Sequence, residues 1–219
     1  AVSHDGTEAW TVTPPPRSYA RAGYRGVKPY QSRLTVVFPA DLSGDETPEI
    51  VVGSANWRTY VYNRAGDLLW DEVCWAHTPT CGAAYDLDGD GSREVIMGNS
   101  YNATRIYSAG GELIGTGKGS WHAGPTAVAA GDFDGNGKGE MVVGDREGKI
   151  WFQEWNGRDM PNWDTGSDIT AVQAADLDGD GRTETVVASS NYLLYCFDAD
   201  GQPLWQKNLL DACRDIQLA

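Results

Sequence analysis

The sequence predicts an all-β propeller of about five four-stranded blades with a repeat length of about 45 residues. Three observations lead to this fold class: a segment recurs four times at nearly constant spacing, each repeat contains short strand-like runs, and no window shows a helical hydrophobic period. The chain has 219 residues, of which 41% are hydrophobic and 22% charged. It is therefore long enough to bury a core and ordinary in composition for a globular protein.

The recurring segment begins with aspartate and ends with glycine or alanine. Its four copies start at Asp41, Asp86, Asp132 and Asp176, and they read DLSGDETPEIVVG, DLDGDGSREVIMG, DFDGNGKGEMVVG and DLDGDGRTETVVA. The starts lie 45, 46 and 44 residues apart, a glutamate follows each start by eight positions, and a glycine follows it by 25. Offsets held in four copies indicate one structural unit per repeat.

Each repeat contains four strand-like runs. In the first repeat one run precedes the aspartate (Leu34–Phe38), a β-branched run follows the glutamate (Val51-Val52), an aromatic run comes next (Tyr60–Tyr62), and the last follows a glycine turn (Leu68–Trp70). Four short strands per repeat are typical of a propeller blade. A β-sandwich is the alternative, but it does not require such regular copies.

We expect a single β-propeller domain to which both chain ends contribute strands of one further blade that lacks its Asp loop and second strand. Gly6 and Trp10 have the spacing of Gly66 and Trp70, so the start of the chain matches the last two strands of a blade, and its end matches a first strand. Together the ends are expected to make most of a fifth blade. The expected units are residues 1–13 (two strands), 14–31 (an insertion), 32–76, 77–121, 122–167 and 168–208 (repeats) and 209–219 (one strand).

The segments 41–49, 86–94, 132–140 and 176–184, here called the Asp loops, predict metal sites. In the second loop Asp86, Asp88 and Asp90 place carboxylates at positions 1, 3 and 5, while Ser92 offers a backbone carbonyl at position 7 and Glu94 a carboxylate at position 9. Such clustering is repulsive without a cation. Calcium prefers six to eight oxygen ligands, whereas magnesium requires stricter octahedral geometry, so calcium fits best.

The third and fourth Asp loops keep this pattern, and the first loop departs from it. Ser43 replaces a carboxylate in the first loop, where Glu46 also stands in place of a glycine. We therefore expect three or four calcium ions; the alternative is that the loops are Asx-turns between strands. The corresponding ligands are Asp132, Asp134, Asn136, Lys138 and Glu140 in the third loop, Asp176, Asp178, Asp180, Arg182 and Glu184 in the fourth, and Asp41, Ser43, Asp45, Thr47 and Glu49 in the first.

The pattern D-x-D-G-D/N-G-x-x-E, followed by an apolar strand and glycine, resembles the FG-GAP or VCBS-type repeat. That resemblance covers residues 32–219 and implies a calcium-binding β-propeller, as in the integrin α-chain head and many secreted bacterial proteins. It leaves the function open, because such propellers occur in adhesins, lectins and polysaccharide-degrading enzymes. One departure is that position 9 is glutamate in every copy, where the family commonly has aspartate.

The net charge of −14 argues against nucleic acid as a partner. Of the 31 acidic residues, 15 lie in the Asp loops, so much of the acidity is explained by ion binding. No apolar run reaches the roughly 20 residues of a membrane span. The chain begins Ala-Val-Ser without a leader, so we expect any signal peptide to have been removed and the protein to be extracellular, secreted or at the cell surface.

The four cysteines fit an oxidising compartment. Cys74 and Cys81 bracket a short loop, and Cys196 is expected to pair with Cys213. Four buried free thiols are the alternative. Asn102 lies in the sequon Asn-Ala-Thr and is a candidate for glycosylation.

The insertion at residues 14–31 is the candidate partner-binding segment. It combines basic residues with tyrosines in a chain that is otherwise acidic, which favours docking to an acidic glycan or protein surface, including a second propeller; a solvated linker is the alternative. The residues concerned are Arg17, Arg21, Arg25, Lys28, Tyr19, Tyr24 and Tyr30.

No catalytic residue is predicted, because the three histidines are isolated and no nucleophile motif is present. We therefore expect a secreted, calcium-stabilised, non-enzymatic module for adhesion, assembly or binding. The alternatives are a lectin-like carbohydrate-binding module, indicated by tryptophans that do not follow the repeat, and a fragment of an extracellular polysaccharide-active enzyme.

Overall fold

The computed structural model describes residues 6–7, 9–15, 33–74, 77–117, 122–154 and 159–217. These residues form sixteen strands in four antiparallel four-stranded sheets, and no helix occurs among them. Blade 1 contains β1 (Leu34–Ala40), β2 (Glu49–Ser54), β3 (Arg58–Tyr62) and β4 (Leu68–Val73). Blade 2 contains β5 (Pro79–Tyr85), β6 (Glu94–Asn99), β7 (Arg105–Tyr107) and β8 (Leu113–Thr116). Blade 3 contains β9 (Pro125–Gly131), β10 (Glu140–Asp145), β11 (Lys149–Glu154) and β12 (Asp159–Asp164). Blade 4 contains β13 (Ile169–Ala175), β14 (Glu184–Ser189), β15 (Leu193–Phe197) and β16 (Pro203–Asn208).

Every blade is a meander in which each strand pairs with the next one along the chain. The first strands of successive blades contact one another, β1 with β5, β5 with β9 and β9 with β13, so they are the innermost strands. Because the Asp loops join first and second strands, all four lie at one end of the propeller, here called the Asp-loop end. Turns between second and third strands, and the connections between blades, lie at the opposite end.

The predicted number of blades is wrong: the structure has four, not about five. Residues 6–7, 9–15 and 209–217 contain no strand. The sequence holds four Asp segments, and the two terminal pieces lack a second strand that would pair with both of them. A strand without a neighbouring strand is not stable. Both pieces still contact the blades, through a hydrogen bond from Trp10 Nε1 to Arg64 O (2.9 Å) and one from Thr170 Oγ1 to Cys213 O (2.6 Å).

Close packing between blades explains the glycine that ends the repeated segment. A Cβ on Gly98 would lie 2.8 Å from Pro125 Cβ, and a Cβ on Gly144 would lie 2.3 Å from Ile169 Cγ2. In each case the first residue of the next blade packs directly on the glycine backbone. Blade 4 carries Ala188 at this position.

Tryptophans fasten the outer part of one blade to the next. Trp10 donates its indole N–H to Arg64 O, Trp70 to Ala109 O (2.8 Å) and Trp163 to Gly201 O (2.6 Å). Each acceptor lies in the turn between the third and fourth strands. Trp205 has the repeat position of Trp70 but is 45% exposed.

Threonine hydroxyls fasten the inner strands. Thr80 Oγ1 donates to Pro125 O, Thr126 Oγ1 to Ile169 O and Thr170 Oγ1 to Cys213 O, each at 2.6 Å. Thr35 has the same place in β1, but its hydroxyl is buried and has no hydrogen-bond partner among the described residues. These threonine hydrogen bonds therefore start from the second, third and fourth blades, and the first blade has no equivalent bond among the described residues.

Replacing Thr126 by valine should lower the free energy of unfolding by about 1 kcal/mol, because the shape is kept while the Ile169 carbonyl loses its donor. Thr35→Val is the matched control, since it removes a buried hydroxyl that has no partner, and it should be neutral or stabilising. Urea unfolding of both variants measures the difference. Equal losses of stability would show that the hydroxyl bond does not hold the blades together.

The core lies within and between the blades. The largest cluster joins blades 3 and 4 and includes Phe133, Phe152, Ile169 and Phe197, all at most 1% exposed. A second cluster joins blades 1 and 2, and a third joins blades 2 and 3. Among the described residues no helix has the length and apolarity that crossing a membrane would require.

Candidate metal sites in the Asp loops

Asp86 closes its loop by accepting three backbone hydrogen bonds. Its Oδ1 accepts from the N–H groups of Gly89 (2.8 Å) and Asp90 (3.1 Å), and its Oδ2 accepts from Gly91 (2.9 Å). Gly89 and Gly91 have φ of 80° and 91°, in the left-handed region that favours glycine. The D-x-x-G-x-G spacing therefore folds the backbone around the first carboxylate.

The carboxylates at positions 3 and 5 are fixed in the same way. Asp88 Oδ1 accepts from Asp90 N (3.2 Å), and Asp90 Oδ1 accepts from Ser92 N (2.7 Å). These contacts are Asx-turns, so the turn geometry of the alternative interpretation is present, and it is also what brings the acidic groups together. The corresponding acceptors are Asp132, Asp134 and Asn136 in blade 3 and Asp176, Asp178 and Asp180 in blade 4.

The glutamate at position 9 begins the second strand and is buried. Glu94, Glu140 and Glu184 are 3%, 2% and 5% exposed. In each, Oε2 accepts from the backbone N–H of the second loop residue at 2.8 Å. Burial, with a further contribution from Asp134 and Asp132, raises the pKa of Glu140 to about 7, and burial also raises the pKa of Glu94. Without a cation, the ionised forms of Glu94 and Glu140 are disfavoured.

Three groups of carboxylates have ligand atoms within 4.8 Å of one another: Asp86, Asp88 and Asp90; Asp132, Asp134 and Glu140; and Asp176, Asp178 and Glu184. Every donor is a carboxylate oxygen, which is the ligand chemistry of a hard divalent cation. Neutral or soft ligands that would favour zinc are not part of the groups. The residues therefore fit calcium in blades 2, 3 and 4.

The position-7 residues contribute a backbone N–H to each turn. Ser92, Lys138 and Arg182 each donate to the side chain at position 5. Their expected role as carbonyl ligands stays a prediction. The Arg182 side chain points elsewhere, donating from Nε to Phe133 O (3.0 Å) and pairing with Asp200 (3.0 Å).

The first Asp loop has the same backbone hydrogen bonds but carries a serine, Ser43, at position 3. Asp41 accepts from the N–H groups of Gly44, Asp45 and Glu46, and Glu49 accepts from Leu42 N (2.9 Å). Asp45 Oδ1 accepts from Thr47 N (2.8 Å). No three-carboxylate group forms in this loop within the described part of the chain. Ser43 thus leaves the first loop as the weakest candidate site.

Glu46→Gly should stabilise the fold by about 0.5–1 kcal/mol, because Glu46 has a φ of 66° at a position where the other loops have glycine. The matched reverse change is Gly91→Ala, at φ 91° and with no atom within 4 Å of the added Cβ, which should destabilise by a similar amount. Thermal unfolding of the two variants checks the signs. A destabilised Glu46→Gly variant would mean that the glutamate side chain has another role.

The Cys74–Cys81 disulfide predicted from the sequence is not formed. Both residues are free thiols, and both sulfur atoms lie against Gly98: Cys74 Sγ is 3.8 Å from Gly98 O. Burial raises the pKa of each thiol to about 12. The two cysteines are therefore packed as small apolar groups that remain protonated.

The predicted Cys196–Cys213 disulfide is not formed either, because the two residues lie in different layers. Cys196 is buried in β15, the third strand of its blade. Cys213 lies beside Thr170 of the innermost strand, and its thiol donates to Asp215 O (3.1 Å). The predicted pairing was based on position in the sequence, which does not show how far each cysteine lies from the propeller axis.

Two other predicted sites have different outcomes. Asn102 is half-buried in the turn after β6, with its backbone N–H bonded to Asn99 Oδ1 (2.7 Å), while Thr104 of the same sequon is fully buried. Glycosylation there stays a prediction. The partner-binding residues predicted in the insertion, Arg17 to Tyr30, lie outside the described residues.

An aromatic row at the opposite end was not predicted as a unit. The His77 ring stacks on Tyr101 (4.7 Å between centroids), Tyr101 meets His122 edge-on (4.5 Å), and Trp57 lies 6.0 Å from His77. His77 and His122 each follow the aspartate that starts their repeat by 36 positions, whereas Trp57 and Tyr101 follow theirs by 16 and 15, so only the two histidines gave a periodic signal. The four residues meet because the turns and the connections between blades converge at that end.

Comparisons with known proteins support the repeat and the fold. The profile of the FG-GAP-like repeat family matches residues 86–143 and 132–187, which include the second, third and fourth Asp loops. No relative is found among curated proteins.

Solved structures with the same arrangement are of β-propeller type. Sqt1 of Saccharomyces cerevisiae has a TM-score of 0.67 and 15% identity, covering 81% of this chain and 50% of Sqt1. Raptor of Chaetomium thermophilum has a TM-score of 0.63 and 18% identity over 83% of this chain and 17% of Raptor. The computationally designed Ika4 protein has a TM-score of 0.60 and 20% identity over 77% of this chain and 92% of Ika4.

At these identities the likeness shows the fold alone, and the chain spans about half the length of Sqt1. The repeat match supplies the more specific relationship, because it falls on the Asp loops themselves. Residues 86–187 match the FG-GAP-like repeat, and the four four-stranded antiparallel sheets have the arrangement of a β-propeller.

Proposed function

We propose that this protein is an extracellular binding module whose Asp loops hold calcium as a structural ion. The observation that carries the proposal is the set of three carboxylate groups, each with ligand atoms within 4.8 Å, at equivalent places in three blades. Repetition at blade positions supports a structural role, because a catalytic ion needs only one site. Loops of this kind suit the high calcium concentrations outside cells.

The two ends of the propeller are proposed to have different roles, one in stability and the other in recognition. The Asp loops stiffen one end, while turns at the opposite end carry side chains that differ from blade to blade, such as Trp57, Tyr101 and Tyr192. Such variation on a fixed scaffold is where binding residues are generally found. The module is therefore proposed to act by adhesion or assembly through its opposite end, without catalysis.

Calorimetric titration with calcium and then magnesium tests the proposal. Calcium should bind with evolution or uptake of heat, and magnesium should compete poorly because the loops offer several carboxylates. Asp134→Asn should weaken one site, since Asp134 belongs to the blade 3 group. Glu112→Gln is the control, because Glu112 is an exposed acid at the same end but outside the Asp loops. Absence of calcium binding, or equal weakening by both variants, would refute the proposal.

A further inference from the structure

A cavity of about 550 Å³ lies at the opposite end of the propeller, between blades 1, 2 and 3. It is lined by the starts of β1 and β5, including Arg33 and Thr78, and by the turns that carry Ser100 and Arg146. Its volume lies in the range of small-molecule sites, about 300–1,000 Å³. The cavity is therefore large enough to accept one or two sugar-sized groups.

The charge of this cavity is opposite to that of the protein. Among the described residues its lining contains two arginines and no acidic residue, although the chain carries a net charge of −14. Arg33 and Arg146 are exposed, and neither has an acidic partner among the described residues. Guanidinium groups bind carboxylates in paired hydrogen bonds, so the cavity favours an anionic group.

The aromatic row borders the same cavity. His77 and Tyr101 are the chain neighbours of the lining residues Thr78 and Ser100, and Ser100 N donates to Thr78 O (2.9 Å). The row therefore continues from the arginine-lined cavity along the end of the propeller, beside hydroxyl groups that can donate and accept hydrogen bonds.

Two residues of the row are held in unfavourable backbone conformations. Trp57 and His122 have φ of 69° and 76°, a region that side-chain-bearing residues rarely adopt. In blade 3 the turn equivalent to that of Trp57 carries Gly148 at φ 87°, the residue this conformation favours. Tyr192 has the same position in blade 4 with a φ of 66°, so an aromatic side chain occupies this strained turn in two blades, which favours a role other than stability.

We propose that this end of the propeller binds a carboxylate-bearing saccharide. Arg33 and Arg146 hold the carboxylate, Thr78 and Ser100 bond to ring hydroxyls, and the apolar face of a sugar ring packs against the aromatic row. The inference rests on the proposed function as a binding module and names its ligand class. Alternating apolar faces and hydroxyls in a saccharide match a surface on which aromatic rings adjoin hydroxyl side chains.

The Asp-loop end is unsuited to this ligand. The cavity there, of about 420 Å³, is lined by Asp86, Asp132 and Arg93, so two carboxylates oppose the single arginine. A third cavity, of about 350 Å³, is lined by apolar residues such as Val12, Val52 and Tyr62 and has no cationic residue. Among the described cavities, the arginine-lined one thus offers the electrostatic match.

The test is titration of the full chain, in calcium, with a trimer of α-1,4-linked galacturonate and with its fully methyl-esterified form. The free acid should bind, and the ester should bind about tenfold or more weakly because it retains the rings but loses the charge. Arg33→Ala and Arg146→Ala should each weaken binding of the free acid by a similar factor. Tyr101→Ala should weaken binding of both the acid and the ester, since it removes the aromatic ring against which the sugar packs.

Arg64→Ala is the matched control, because Arg64 is an exposed arginine at the Asp-loop end, and it should leave binding unchanged. Equal binding of acid and ester, or equal weakening by Arg64→Ala and Arg146→Ala, would overturn the inference. So would binding of a poly-glutamate peptide but not the trimer, which would indicate an acidic protein partner, or binding of no probe.

The melting temperature of each variant, with calcium and with chelator, keeps the two proposals distinguishable. A calcium-dependent melt in a protein that binds no saccharide refutes the inference and leaves the calcium module standing. Saccharide binding in a protein whose melting temperature does not depend on calcium supports the inference and refutes the structural role of the ion. A variant that loses binding but keeps its melting temperature has lost a contact and not the fold.

Discussion

Removal of calcium is expected to lower the melting temperature by at least about 10 °C. An ion bound only by the folded state at 100 times its Kd stabilises that state by about 2.7 kcal/mol per site. For a chain of this size, each kcal/mol corresponds to about 2–4 °C. Three carboxylate groups of matching composition should therefore have a combined effect that a thermal melt with and without chelator resolves easily.

The chelated protein should also lose stability as the pH rises. The pKa of Glu140 is raised to about 7 in the folded state, above the 4.5 of an unperturbed glutamate, mainly by burial. A raised carboxyl pKa contributes stability that is complete below the unfolded value and is lost as the pH rises through the folded one. Melting temperatures in chelator should therefore fall between about pH 4.5 and 7, and calcium should remove this dependence because it stabilises the ionised carboxylate.

An unchanged melt after prolonged dialysis against chelator would contradict the structural role of calcium. Asp88→Asn and Asp178→Asn should each reproduce part of the loss, because each removes a charge from a different carboxylate group. Glu112→Gln, an exposed acid outside the Asp loops, should leave the melt unchanged.

Gly144→Ala is expected to destabilise the protein by about 2–3 kcal/mol. The added Cβ would lie 2.3 Å from Cγ2 and 2.6 Å from Cβ of Ile169, which opens blade 4. Neither atom belongs to a flexible chain end, so a strand must shift, and overpacking of this kind costs about 1–3 kcal/mol. The expected fall in melting temperature is about 4–12 °C.

A double-mutant cycle with Ile169→Ala isolates the contact between blades. If the clash is with Ile169, Gly144→Ala should cost less in the Ile169→Ala background, which removes the contact with Cγ2 at 2.3 Å and keeps the one with Cβ at 2.6 Å, so we expect a coupling of about 1 kcal/mol. Gly110→Ala is the control, because its added Cβ meets only Ser108 Oγ at 3.9 Å. Additive losses in the double variant would show that the two blades do not meet as described.

The sequence predicted the local features of the fold because they depend on local chemistry. The Asp loops follow from aspartate and glycine at fixed spacing, as at Asp86, Gly89 and Gly91, where side-chain and backbone hydrogen bonds lie within six residues. The strand after each loop follows from β-branched runs. The glycine that ends each repeated segment was visible in the sequence as part of the repeat. Only the structure shows why it is glycine, because the first residue of the next blade packs on it.

Features that depend on neighbouring blades were predicted less well. The number of blades depends on whether the N-terminal and C-terminal pieces of the chain pair with each other. Gly6 and Trp10 have the spacing of Gly66 and Trp70, but this spacing does not show whether such pairing occurs. The predicted Cys196–Cys213 disulfide failed because position in the sequence does not show how far each residue lies from the propeller axis. Trp163 was missed because it follows Gly157 by six residues, whereas Trp70 follows its glycine by four.

The central claim, that the Asp loops are calcium sites at one end of the propeller, is tested most directly by anomalous diffraction from crystals grown in calcium. The account predicts a peak among the carboxylates of each of the three groups, around Asp88, Asp134 and Asp178. Ordered Asp loops without peaks, or peaks confined to sites outside them, would contradict it.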